Sequence, residues 1–332
     1  MRKLLAGWLV ALTGVLASPP AIRAADEDEA LAWVNRLGGK VVRDDKQPGR
    51  PVVEVNLHGL ARPASVTEFV TDAGLKHLAA FPKLRRLKLG FTPIADSGLK
   101  ELAKLSQLES LALDHTGVTD AGIKELAALK SLRALDLNNT PVTEAGLKQL
   151  ATYKSLRDLT LCSTKTTDDV LKHLSTLDLE AINLNHTAVT DAGLKHLTAC
   201  KSLRAVNLDD TRVTDAGLKE LVALAKLQAL SLRYTRLTDA GLKQVAAIKG
   251  LRELNVMETR VTDAGVKELA ALEELQELLL QETALTDVGL AALAPCKNLR
   301  TLWVADTKVT AAGIARLKKA LPKCDIPQVS IE

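Results

Sequence analysis

The chain has 332 residues, of which 47% are hydrophobic, 25% charged and only 2% aromatic. That balance fits a folded core of Leu, Val and Ala and excludes a disordered chain. Formal net charge is +4, and beyond the N-terminus no stretch approaches the roughly 18 apolar residues of a membrane span.

Residues 1–24 read as a secretory signal peptide. Arg2 and Lys3 precede an apolar run from Leu4 to Leu16, followed by small residues, Pro19-Pro20 and a cleavage point at Ala24. The run is short for a membrane span, and an uncleaved anchor is the alternative. The mature chain is therefore expected to be exported, periplasmic or secreted. Losing Arg2, Lys3 and Arg23 lowers its formal charge from +4 to +1, which argues against a nucleic-acid partner.

Residues 25–65 read as an N-terminal cap. Asp26 to Leu37 carries Leu31, Val34 and Leu37 at helical spacing and stops at Gly38-Gly39. Val41-Val42 and Val52 to Leu57 read as strands around the Asp44–Gly49 turn.

From Thr71 onward a block close to Val-Thr-Asp-Ala-Gly-Leu-Lys-x-Leu-Ala recurs, anchored at Thr71, Ala95, Thr119, Thr143, Thr167, Thr190, Thr214, Thr238, Thr262, Thr286 and Thr310. Every step is 24 residues except the 23 from Thr167 to Thr190. A fixed period of this size marks stacked units, none able to bury its apolar face alone. The array covers residues 66–320 in about eleven units, and 321–332 read as a C-terminal cap. Within Leu132 to Leu150, Leu135 and Leu137 alternate as a short strand, while Leu147 and Leu150 have helical spacing. Thr143 and Glu144 stand where a helix cap and first-turn acid belong. The unit at Asp168-Asp169-Val170 lacks the usual Gly and is one residue short, so a local irregularity is expected there.

Two ladders accompany the repeat. Asp or Glu stands four residues before Lys in nine units, for example Asp72–Lys76, Asp120–Lys124 and Asp263–Lys267. On an exposed helix face this spacing predicts ion pairs of about 0.2–0.5 kcal/mol each. A second ladder places Thr at 92, 116, 140, 164, 187, 211, 235, 259, 283 and 307, where its hydroxyl is expected to bond turn backbone.

The pattern Leu-x-x-Leu-x-Leu-x-x-Thr-x-Val followed by Thr-Asp-Ala-Gly-Leu resembles leucine-rich repeats, with Thr where many members carry Asn or Cys. Its helix-bearing 24-residue form is similar to the ribonuclease-inhibitor-like subgroup, and to the repeats of F-box substrate receptors, although no F-box-like segment precedes it. The resemblance implies an α/β fold: a right-handed solenoid with a parallel β-sheet on the concave face and helices on the convex face.

In such a solenoid the residues flanking the buried Leu pair form four rows in the groove. Those rows hold three basic residues (Arg86, Lys88, Arg233) against ten acidic ones, a face that steers cationic partners. Its middle sets Asn183, Asn185, Asn207, Asp209 and Asp210 beside Ala181, Ala205 and Ala229. Further along, Tyr234, Met257, Leu279 and Trp303 stand among Glu253, Glu258, Glu277 and Glu282, the apolar-and-rimmed composition of a protein-binding patch. The expected partner is a protein with a basic surface; the alternative is a structural or carbohydrate-contacting component of the cell envelope, with carbohydrate on the Asn-rich part. No cofactor, catalytic group or metal site is expected. Ser163, His186 and Asp210 fall in one row, but nothing supplies an oxyanion hole or closed pocket. Asn185, Asp209 and Asp210 offer too few oxygens for a cation. Cys162, Cys200, Cys296 and Cys324 lack metal-ligand spacing and read as core, with a Cys296–Cys324 bridge left open. His77, His173 and His196 read as a solvated helix face.

Overall fold

The computed structural model describes residues 24–60 and 69–327. The signal segment, and the part of the C-terminal cap after Pro327, lie outside these residues.

The chain opens with α1 (Ala24–Arg36), which buries Ala30, Trp33 and Val34. Strands β1 (Lys40–Arg43) and β2 (Val52–Asn56) form an antiparallel pair, and β2 also starts the parallel sheet. The sheet continues through β3 (Arg86–Lys88), β4 (Ser110–Ala112), β5 (Ala134–Asp136), β6 (Asp158–Thr160), β7 (Ala181–Asn183), β8 (Ala205–Asn207), β9 (Ala229–Ser231), β10 (Glu253–Asn255), β11 (Glu277–Leu279) and β12 (Thr301–Trp303), in sequence order. A 3-10 helix, Asp72–Ala80, forms the first helical layer. Behind the strands follow α2 (Asp96–Leu102), α3 (Asp120–Leu126), α4 (Glu144–Gln149), α5 (Asp168–Leu174), α6 (Asp191–Leu197), α7 (Asp215–Leu221), α8 (Asp239–Val245), α9 (Asp263–Glu268), α10 (Asp287–Ala292) and α11 (Ala311–Ala320). The fold is thus an α/β solenoid with a continuous sheet on one face and helices on the other.

Each unit turns its central strand Leu and the Leu two residues on toward the helices, as Leu135 and Leu137 show at 2% and 0% exposure. With Leu147 and Leu150 from the helix, these form one apolar core from Ala30 to Ile326. Beyond β12, Asp325 makes a single parallel bridge to Thr301, and Ile326 is buried. All four cysteines carry free, buried thiols, so Cys296 and Cys324 are not bridged.

The Thr ladder works within each unit: Thr116 Oγ1 donates to Leu113 O at 2.6 Å, and Thr211 to Leu208 O at 2.6 Å. The Asp–Lys ladder does not form as the spacing predicts. Among the described residues only Glu144–Lys148 makes that ion pair, at 3.1 Å, and Lys148 also pairs with Asp169. Elsewhere the carboxylate turns toward the next unit. Asp96 accepts from the backbone N of Thr119 at 2.8 Å and from its Oγ1 at 2.6 Å. The same double bond joins Asp120 to Thr143, Asp191 to Thr214, Asp215 to Thr238, Asp239 to Thr262, Asp263 to Thr286 and Asp287 to Thr310. A short Asp reaches the neighbouring cap and satisfies an orphan helix N–H, a stronger charge-assisted contact than an exposed Lys offers.

This stitch explains the Gly. Gly122 N also donates to Asp96 Oδ1 at 3.0 Å, and a Cβ on Gly122 would lie 2.5 Å from that oxygen. The irregular unit obeys the same logic. The unit with Glu144 in place of Asp is followed by the unit with Val170 in place of Gly, and in that next unit Glu144 accepts from Thr167 Oγ1, at 3.1 Å, but not from its backbone N–H. Without the short carboxylate at that point, a side chain fits.

Candidate interaction face

The strand residues flanking each central Leu stand out from the sheet. From β6 to β11 they enclose a shallow hollow of about 330 Å³. Ala181, Ala205 and Ala229 form its small-residue floor, and Leu279 ends the neighbouring row, in register with Asn255. Asp158 stands at one end and Glu253 and Glu277 at the other. Asn183, Asn207, Ser231 and Asn255 line one side. Burial, with Glu180 nearby, pushes the Asp158 carboxyl above its ordinary value; burial, with Asp114 nearby, does the same to Asp136.

The Asn side chains hold the strand exits. Asn183 Oδ1 accepts from Asn185 N at 3.1 Å, Asn207 Oδ1 from Asp209 N at 2.8 Å, and Asn255 Oδ1 from Met257 N at 3.1 Å. Asp136 plays the same part toward Asn138 N at 2.8 Å. Asp209 is equally engaged, accepting from Ser231 Oγ at 2.5 Å and Arg233 N at 2.8 Å.

The fourth expected row is not a groove wall but a turn. Its residues, Phe91, His115, Asn139, Ser163, His186, Asp210, Tyr234, Glu258, Glu282 and Asp306, all have left-handed backbone, φ 48 to 57°. The turn bends the chain while the N–H of every one but Asp306, in the last unit, still reaches the next unit, as His115 N does to Asn138 O at 2.8 Å. Non-Gly residues in a region costing roughly 1–2 kcal/mol each are held there by the ladder.

The twelve residues anticipated as a partner site therefore divide. Asn183, Asn207, Glu253 and Leu279 line the hollow. Asn185, Asp209 and Met257 stand half-buried at the turn, and Asp210, Tyr234, Glu258 and Glu282 lie on the left-handed row. Trp303 is half-buried on β12. Glu258 is occupied: Arg233 donates to its Oε1 through Nε at 2.8 Å and Nη2 at 2.5 Å, and its side chain is only 10% exposed. The same guanidinium lies 4.6 Å over the Tyr234 ring, which stays 54% exposed. His186 Nδ1 and Asp210 Oδ2 meet at 2.6 Å, while no hydrogen bond joins Ser163 to His186 among the described residues. Three groups there that could hold a metal are not found together.

Sequence reasoning missed three features. Phe91 stacks on His115 at 3.9 Å and meets His58 edge-on at 5.2 Å, beside the buried Asp114. His77 is not simply solvated: it stacks on Trp33 at 5.3 Å, closing the first helical layer. The ladder lysines, Lys148 aside, carry no ion pair among the described residues, because their expected Asp partners are used between units. The repeated Thr-Asp-x-Gly was the available signal for the last, since the Gly has no role in a Lys pair.

The geometry is that of a leucine-rich-repeat solenoid. The family model described as Leucine Rich repeat matches residues 82–103, 199–222 and 251–270, so those segments are similar to leucine-rich repeats; the ribonuclease-inhibitor-like subgroup does not follow from these matches. No curated protein matches the chain. Among solved structures, an internalin (InlF) from Listeria monocytogenes is similar at 20% identity and TM-score 0.53, covering 92% of this chain and 95% of that one. A TDR receptor is similar at 13% identity and TM-score 0.54, covering 83% of this chain and 46% of that one. At these identities the likeness is one of fold. No helix among the described residues is long and apolar enough to cross a membrane.

Proposed function

We propose that the chain is an exported, non-enzymatic scaffold that holds a protein with a basic surface against its acidic sheet face. The hollow across β6–β11, with an apolar floor between Asp158 and the pair Glu253 and Glu277, carries this reading. Carboxylates at the ends of an apolar floor attract cations and set their position, and small side chains admit a partner close to the sheet. Tyr234, backed by Arg233, offers a fixed aromatic beside the hollow, the residue type that anchors interfaces. Glu277 takes the place of the occupied Glu258 in this surface. Export rests on the N-terminal segment from Arg2 to Ala24, and residues 25–65 and 321–332 act as caps to the array.

The test immobilises the full chain and challenges it with extract from its own cells. A protein retained in stoichiometric amount by the wild type should be lost when Asp158, Glu253 and Glu277 are all changed to Lys. It should persist when Lys100 and Lys219 on the helix face are changed to Glu. Retention unaffected by the groove reversal, or retention of glycan alone, overturns the reading. Recovery of a chain starting near Ala24 from outside the cytoplasm is the expected result for export; a full-length chain inside the cell contradicts it.

A further inference from the structure

The two rows of the hollow differ in chemistry, and together they narrow what it holds, if the reading above stands. Asn183, Asn207 and Asn255 each use Oδ1 on a backbone N–H of their own turn. Those bonds fix the amide orientation and leave each NH₂, with two donors, uncommitted on a residue that lines the hollow. None of the three side chains makes a further hydrogen bond among the described residues. Beside this donor row runs the first strand position: Asp158, then Ala181, Ala205 and Ala229, then Glu253. Asp158 and Glu253 stand four strands apart, about 19 Å at about 4.8 Å per strand.

A ligand matching both rows carries free acceptors along one side, small groups in the middle and cations about 19 Å apart. An extended peptide has all three. At about 3.3 Å per residue, six residues span about 20 Å, and residues six apart point to the same side. An α-helix bonds its carbonyls internally and, at about 10–12 Å across, overfills the hollow. A polyamine supplies the cations but leaves the Asn donors without acceptors.

We infer that the hollow receives an extended peptide segment crossing β6 to β10, with Lys or Arg six residues apart on Asp158 and Glu253, small residues between them, and backbone carbonyls on Asn183, Asn207 and Asn255.

Fluorescence anisotropy at low ionic strength tests this with the full chain. The probe is a labelled, terminally blocked Lys-Ser-Ala-Ser-Ala-Ser-Lys; the control is Lys-Lys-Ser-Ala-Ser-Ala-Ser, of equal composition and charge. The spaced peptide should bind at least about fivefold more tightly than the control, and Asp158→Asn and Glu253→Gln should each weaken it by about two- to fivefold while leaving the control unchanged. Equal affinity for the two peptides, displacement of the spaced peptide by spermidine at an equal concentration of charge, or no binding overturns the inference. The spacing comparison uses unaltered protein, so a variant that misfolds cannot decide it. Groove-dependent capture of a protein without any spacing preference defeats this inference alone, whereas capture indifferent to the groove defeats the function proposed above.

Discussion

At the junction of α2 and α3, Asp96 takes two hydrogen bonds from Thr119 and a third from Gly122 N, and the glycine leaves room for the carboxylate. At the junction of α4 and α5, Glu144 reaches Thr167 through one hydroxyl, Lys148 pairs with both Glu144 and Asp169, and Val170 is buried where the glycine would be. The second junction is solved with a longer acid, an ion pair and extra apolar contact. Its two substitutions stand in neighbouring units but in one physical site. What is constant from unit to unit is thus one device of three residues that joins helix to helix. What varies, on the strand positions, is free of that duty and available for a partner.

The largest expected effect comes from putting the α5 residue into a regular junction. Gly122→Val should cost about 3 kcal/mol by overpacking against Asp96, read as a lower denaturation midpoint. Asp96→Ala in the same chain should recover part of the loss, a coupling of at least about 1 kcal/mol in a double-mutant cycle. Strict additivity would separate the glycine from the carboxylate.

Next in size, Asp96→Ala alone should cost about 1–3 kcal/mol by leaving helix N–H groups without their acceptor, while Glu144→Ala should cost about 1 kcal/mol or less, since its contacts are exposed. Equal losses would show that the two junctions do not differ in kind.

Smaller again is the effect of relieving one left-handed turn. Glu282→Gly should raise stability by about 0.5–1 kcal/mol in thermal unfolding, since its exposed carboxylate makes no hydrogen bond among the described residues. A loss there would mean that the turn is not under strain.

The smallest is a pH effect at Asp136. Burial raises its folded pKa above the unfolded value of 3.8, so the folded state binds the proton more readily. Stability contributed by this group is therefore full below about 3.8 and is lost as pH rises through the folded pKa. Asp136→Asn, which copies Asn183 and Asn207, should raise Tm at neutral pH and leave it unchanged in acid. A change of equal size at both pH values would contradict the cause assigned.

The period, the strand and helix of each unit, the helix and strand pair that open the chain and the buried Leu positions were legible because burial follows a spacing that the residues display directly. The partner of Asp96 was not: intervals of four and 23 residues are equally visible in a repeat, and only the geometry chooses Thr119 over Lys100. Nor was the left-handed row, since Phe91, Tyr234 and Glu282 are poor formers of that conformation and are held in it by neighbouring units. For the candidate site, Asn183, Asn207, Glu253 and Leu279 were found by row, but the pairing that withdraws Glu258 depends on Arg233 folding back across a strand.

Site-resolved hydrogen exchange on the Thr amides tests the stitch most directly. The Thr119, Thr143, Thr214 and Thr238 N–H groups donate to an Asp, and that of Thr167 has no such acceptor. The Thr167 amide should exchange about tenfold faster than the others, the factor for a bond of about 1.4 kcal/mol; equal protection at all five would contradict the account.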